Sequence, residues 1–370
     1  MATVNQILED EHIAHAVSLE QYKLGVVRLI IALLNRSDAS LSAALTEALE
    51  RMPAESFTVE RLELFLDEVR TVNALAYDQV FTALEADLKE LASYESNWQQ
   101  TLFQKTLPEP VLVRFPLVSI SAEQAYAAAM SRPFQGRLLR DWGKQVGAER
   151  MVKVRNAIRS GYLEGKTTDQ IIRSIRGTRA AGYADGFLER PRKDLAAVVQ
   201  TAVSHTAATA REQFSVANKE ILKAEDWLST LDMNTSADCI IRDKLSYEVG
   251  THKPIGHKVP WLQGPGRIHF CCRSTSTPRT KSWRELGIPI DEMTPGQRAS
   301  MDGQVPADTN FSTWLDRQSD ARKAQVLGPM RYQLYKDGKS LDDFYSPTGE
   351  WLTLEQIKQQ DEQAFAKMAA

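Results

Sequence analysis

Between residues 60 and 104 the chain contains neither glycine nor proline, and leucine, alanine, glutamate and aspartate dominate the stretch. A run with no helix breaker and many strong helix formers predicts long helices. Upstream, Leu8, Val17, Leu24, Val27, Ile31 and Leu34 recur near helical spacing with polar residues between them, which extends the prediction towards the N-terminus. Asp38-Ala39-Ser40 reads as punctuation before a second amphipathic run from Leu41 to Met52. Thr58 is the expected N-cap of a third run, with an incomplete capping box because Arg61 stands where Glu or Gln would close it. Pro108-Glu109-Pro110 ends the block. Residues 1–107 hold 8 Lys+Arg against 17 Asp+Glu, a net charge of -9, so the expectation is an acidic helical bundle or hairpin.

Residues 108–225 read as a basic central helical region. The β-branched segment 111–120 suits a short strand or extended connection, and Ser121 starts a helix towards Met130. Residues 137–161 and 168–176 read as helices, and a long helix is expected from about Asp194 to Glu225. Residues 133–194 hold 14 basic against 7 acidic residues, a net of +7. After Glu225 the texture changes. Residues 226–285 hold four glycines, four prolines, all three cysteines and three of the six histidines, the composition of a small strand-and-loop module. A Pro/Gly-bearing linker follows at 286–310, then a helical tail at 311–370. The fold class expected is mainly α with a small α+β module.

Other classes are excluded by composition. Three cysteines clustered between Cys239 and Cys272 form no disulfide framework for 370 residues. No apolar run approaches the ~18 residues of a membrane span, and the first ten residues carry no basic, apolar leader, so synthesis in a cytosol is expected. An overall net charge of -3 gives no global signal for nucleic acid.

Several motifs have an ordinary structural reading. Gly161-Tyr162-Leu163-Glu164-Gly165-Lys166-Thr167 resembles a P-loop but is one residue short between its glycines and follows a helix. A helix–turn–helix junction capped by Thr167 or Thr168 fits better. His12 and His15, at i, i+3, fit a solvated helix start rather than the HExxH spacing. Arg173, Arg176 and Arg179 border an isoleucine stripe. They read as a solvated face, or as contacts to DNA phosphates or an acidic surface. Catalytic motifs such as GxSxG and HExxH are absent from the sequence. Cys271 or Cys272 beside His269 lacks an orienting third group.

The module carries the chemistry. Cys239, His269 and Cys272 come from separated segments and are the expected ligands of a zinc ion, with Cys271, His257 or Asp232 as the fourth. The alternative is a set of buried thiols packing a small core.

Trp227, Ser229, Thr230, Leu231, Asp232, Thr235, Ser236 and Cys239, followed by His269, Cys272, Arg273, Ser274 and Thr275, resemble the Mu F-like minor head proteins of tailed bacteriophages, also called phage head morphogenesis proteins. Asn234 stands where the family often has Arg, the insert before His269 is longer and glycine-rich, and Cys271 is extra. The likeness extends upstream through Thr201, Thr206, Thr209 and Arg211, and downstream through Trp314, Gln318, Gly328 and Arg331, covering about two thirds of the chain. The resemblance implies a structural assembly protein, not an enzyme. Its location would be the capsid interior, reached from the host cytoplasm, and its partners the portal and inner capsid surface, with double-stranded DNA nearby and no membrane. Two other classes stay open here: an enzyme with a toxin-like or nuclease domain joined to the module, and a non-specific DNA-binding module.

Overall fold

Two very long helices open the chain. Thr3 caps α1 (Val4–Glu50) through a capping box with Gln6, and Thr58 caps α2 (Val59–Thr106) through the backbone N–H of Arg61. At 1.5 Å per residue each is about 70 Å long. They pair antiparallel: His12 meets Gln99, His15 meets Glu95, and Tyr22 meets Asp87. The computed structural model describes residues 3–51, 58–178, 180–181, 183–289, 297–300, 303–306 and 309–360.

The expected break at Asp38-Ala39-Ser40 does not occur. α1 continues through it because Asp38 points inward, where Arg150 and Arg192 hold its two carboxylate oxygens. The expected strand at 111–120 is instead a short helix, α3 (Glu109–Arg114), followed by extended chain. Pro110 in its first turn favours that start, and Val111 is buried against Leu102 and Phe103 rather than in a sheet.

Next come α4 (Ala122–Ser131), α5 (Leu139–Leu163), α6 (Thr168–Arg176) and α7 (Glu189–Ala217). α5 crosses α2 closely because it offers no side chain there. A Cβ on Gly143 would lie 3.0 Å from the Phe81 ring, and one on Gly147 3.3 Å from that of Tyr77. The P-loop look-alike is the turn between α5 and α6, and Thr167 caps α6 through a box with Gln170.

α7 lies at the centre. From Thr201 to Ser215 nearly every residue is buried, including Ser204, His205, Arg211 and Glu212. Its small residues admit neighbours on all sides, and Val198, Val199, Ala202 and Val203 share a core with α1, α2 and α5. α7 ends eight residues before the expected Glu225. Asn218 caps it and turns aside to bond both backbone groups of Val118, at 2.8 and 2.9 Å.

The chain then enters β1 (Leu222–Leu228), which straddles the expected start of the module. With β2 (Ser246–Tyr247), β3 (Pro254–Ile255) and β4 (Thr275–Thr280) it forms an antiparallel sheet in the order β3-β2-β1-β4. Pro278 lies in β4, an edge strand, where a missing N–H costs no ladder bond on the open side. Thr277 of β4 lies beside His12, and Thr280 donates its N–H to Asn5 at 2.8 Å, so the sheet rests on α1. A hairpin, β5 (Gln297–Ser300) and β6 (Gly303–Pro306), precedes the helical tail.

The tail contains α9 (Phe311–Asp316), α10 (Asp320–Leu327), α11 (Pro329–Lys336) and α12 (Leu354–Gln360). Its Phe311, Trp314 and Phe344 share a core with Leu231 and Ile240 of the module. The fold is therefore mainly helical with a small four-stranded antiparallel sheet and a separate two-stranded hairpin, and a Cys/His cluster sits beside the four-stranded sheet. Among the described residues no helix is long and apolar enough to cross a membrane.

Candidate metal centre

Two short segments bring the cluster together. The first follows β1. Ser236 caps a one-turn helix, α8 (Ala237–Ile240), by accepting the N–H of Cys239 at 3.3 Å. Ser229 donates its hydroxyl to the Cys239 carbonyl at 2.6 Å, which fixes that turn against the strand end. The second segment precedes β4. The N–H of Cys272 donates to the His269 carbonyl at 3.3 Å, closing a turn in which Cys271 takes a φ of +56°. Left-handed backbone is uncommon for a residue with a Cβ. Here the Cys271 N–H is tied to the Thr201 hydroxyl of α7 at 3.0 Å. The neighbouring Phe270 ring packs edge-on to Trp142.

A bidentate ion pair locks the two segments. Arg273 donates to both oxygens of Asp232, and Asp232 also accepts the Asn234 N–H at 2.9 Å and the Thr235 hydroxyl at 3.1 Å. Burial works against this carboxylate, yet these bonds and the guanidinium hold its pKa below the ordinary value. Thr230 adds a bond from its hydroxyl to the Arg273 carbonyl.

The donor atoms of Cys239, His269 and Cys272 lie within 4.8 Å of one another, and among the described residues they are the one His/Cys/Asp/Glu group so arranged to hold a metal. The two sulfurs are 3.7 Å apart, and Cys239 Sγ is 3.5 Å from His269 Nε2. Both cysteines are buried in an aromatic core with Trp227, Tyr247 and Trp261. Cys272 is held well below the usual thiol pKa, because Cys239 donates to it and His269 bonds it. Cys239 is pushed up in turn by the Cys272 sulfur, and the bond to Cys272 also raises His269. A cluster that draws one thiol towards thiolate is chemically suited to receive a metal cation.

The structure corrects the expected fourth ligand. Asp232 is held by Arg273. His257 bonds the Ser246 carbonyl at 2.9 Å and packs edge-on to Tyr247. The Cys271 N–H is tied back to α7, and its thiol is absent from the cluster.

The two α1 histidines are also corrected. They are not solvated but buried at the α1–α2 interface. His12 bonds the Leu8 carbonyl at 2.6 Å, and His15 bonds Glu95 at 2.7 Å while stacking on Trp98. Burial and the nearby Arg211 push His12 down to about 3. Arg173 and Arg176 are exposed in the last turn of α6, with Arg176 over the Tyr183 ring, while Arg179 lies outside the described residues.

Sequence reasoning missed the clamp between the module and α7. Arg267 donates to Thr209 at 2.9 Å and pairs with the buried Glu212, which Arg132 also contacts. No periodicity marks such a contact, because its residues lie on three segments. A cavity of about 810 Å³ between α2 and α5, lined by Tyr77, Phe81, Gly143 and Met151 among others, contains none of the motif residues. The chain matches no family model, no curated protein and no solved structure.

Proposed function

We propose that this chain is a minor head protein of a tailed bacteriophage, a head morphogenesis protein of the Mu F-like type. In this reading it acts inside the capsid at the portal vertex and binds a zinc ion through Cys239, His269 and Cys272. One observation carries the proposal. The residues on which the sequence resemblance rests, though some thirty positions apart, form one unit: Asp232 pairs with Arg273 while Cys239 meets His269 and Cys272. Trp227 is wholly buried beneath them, edge-on to Trp261. Their shared occupation is holding a small module together, which suits an assembly protein.

The donor geometry fits zinc. Bonds of about 2.3 Å to sulfur and 2.0 Å to nitrogen, at tetrahedral angles, put sulfurs about 3.8 Å apart and sulfur about 3.5 Å from nitrogen. The observed separations are 3.7 and 3.5 Å. The competing enzyme reading gains nothing from the tail. Asp342 and Asp343 lie in a single 3-10 turn, and Asp343 is engaged by the Ser340 N–H and hydroxyl.

Fractionation of infected cells tests the reading. The protein should copurify with procapsids and filled heads. Its presence only in the soluble cytosol overturns the proposal. Metal analysis of the purified chain should find about one zinc per molecule, with loss of the module's fold on chelation.

A further inference from the structure

A tetrahedral ion held by Cys239, His269 and Cys272 has a fourth corner to fill; of the three side chains expected there, Asp232 and His257 are engaged elsewhere and Cys271 lies outside the cluster. Ser236 stands beside the donors. Its Oγ is 2.8 Å from His269 Nε2, and it also accepts the Cys239 N–H at 3.3 Å. One oxygen thus touches the His269 donor and the backbone of Cys239.

The spacing explains how it arrives there. Ser236 and Cys239 are three positions apart in the first turn of α8, and His269 and Cys272 are three apart across a closed turn. Each pair presents two side chains to the same side, and the two pairs face one another. Burial divides the four unequally. Cys239 and Cys272 are 2% and 0% exposed, whereas Ser236 and His269 are half-buried. The sulfurs close the back of the site, and the serine corner reaches solvent.

We propose, building on the zinc reading above, that Ser236 holds the fourth corner as a weak oxygen donor that an external nitrogen or sulfur donor can displace. The site is then a three-ligand centre with one exchangeable position, not a closed four-ligand knot. A neutral hydroxyl is a far poorer partner for this class of ion than imidazole or thiolate, so the corner is the point at which the centre can accept a further ligand.

Cobalt(II) serves as the spectroscopic probe, with the full-length chain, its Ser236→Cys and Ser236→Ala variants, and free imidazole. The wild-type chain should bind one Co²⁺ with a thiolate charge-transfer band, and imidazole should change its visible spectrum. Ser236→Cys should raise that band by about half, as three thiolates replace two. It should also tighten Zn²⁺ by about tenfold or more and remove the response to imidazole. Ser236→Ala should keep both the metal and the imidazole response. A folded, metal-bound Ser236→Cys with an unchanged band overturns the assignment, as does a wild-type spectrum indifferent to imidazole. If Ser236→Cys fails to fold, the imidazole titration of the wild-type chain decides alone. A wild-type chain that binds no Co²⁺ refutes the zinc reading. The serine-donor proposal falls with it, even if Ser236→Cys then gains binding, whereas a wild-type chain that binds Co²⁺ without responding to imidazole leaves the zinc reading standing and overturns this proposal alone.

Discussion

The α1–α2 hairpin and the Cys/His module reach order by opposite routes. In the hairpin, two helices of 47 and 48 residues satisfy their own backbone, and apolar residues such as Ile30, Leu84 and Leu88 seal them against the central helix. In the module, the strands are two to seven residues long. Side chains do the work that regular backbone does elsewhere: Ser229 and Ser236 fix the Cys239 turn, and Arg273 is clamped to Asp232. A region built from repeated small contributions tolerates single losses, whereas one built on a few polar knots does not.

The largest expected effect follows from that difference. Structural zinc contributes on the order of 10 kcal/mol to the folding of small metal-bound units. On the zinc reading proposed above, chelation should therefore abolish the near-ultraviolet circular dichroism of the Trp227–Trp261 pair while leaving most of the far-ultraviolet helix signal. Loss of both signals together would show that hairpin and module fold as one unit. By contrast, Leu84→Ala, which empties a fully buried site in the hairpin core, should cost about 2–5 kcal/mol. Urea unfolding should register that cost while the metal content stays unchanged.

The same contrast governs what was legible in the sequence. Periodicity and the absence of breakers predicted the helical arm because a helix is a local object, and the caps at Thr58 and Thr167 form as expected. The reading failed where a polar residue is recruited by a distant partner. Asp38 looked like punctuation because aspartate usually turns a chain, but Arg150 and Arg192 keep it inside α1. Cys239, His269 and Cys272 were legible as a group from residue type alone. The corner held by Ser236 was not, since only the fold brings its oxygen to His269. His12 and His15 were misjudged for the same reason: burial by α2 and Trp98 is a tertiary fact.

A third prediction concerns protons. Burial holds His12 down to about 3 and, with Arg267 nearby, His205 to about 4. Their unfolded-state value is about 6.5. Between these values the unfolded chain binds protons that the folded chain refuses, so acid favours unfolding. Stability should be complete above about pH 7 and fall by about 2 kcal/mol per histidine by pH 5. His205→Gln should flatten part of that slope. A stability that rises on acidification from pH 7 to 5 would contradict the buried, neutral state of both rings.

The smallest effect on folding, and the one that bears most on function, lies on α6. Arg173 and Arg176 are exposed at the C-terminal end of that helix, where a cation contributes about 0.3–1 kcal/mol through the helix dipole. Reversing both to Glu should therefore cost about 1–2 kcal/mol, too little to unfold the chain. The effect on partners should be larger. Residues 1–107 carry a net -9 and residues 133–194 a net +7. On the minor-head reading proposed above, an acidic arm would be repelled by packaged DNA and free to meet a protein such as the portal, whereas a basic face would tolerate phosphate. We therefore expect the double reversal to weaken DNA binding and to lower its salt slope by about two, one for each lost phosphate contact. Incorporation into empty procapsids, measured by sedimentation and blotting, should stay at the wild-type level. If the variant instead binds DNA normally and fails to enter procapsids, the faces are reversed, and the basic surface of α6 is the one that docks on protein.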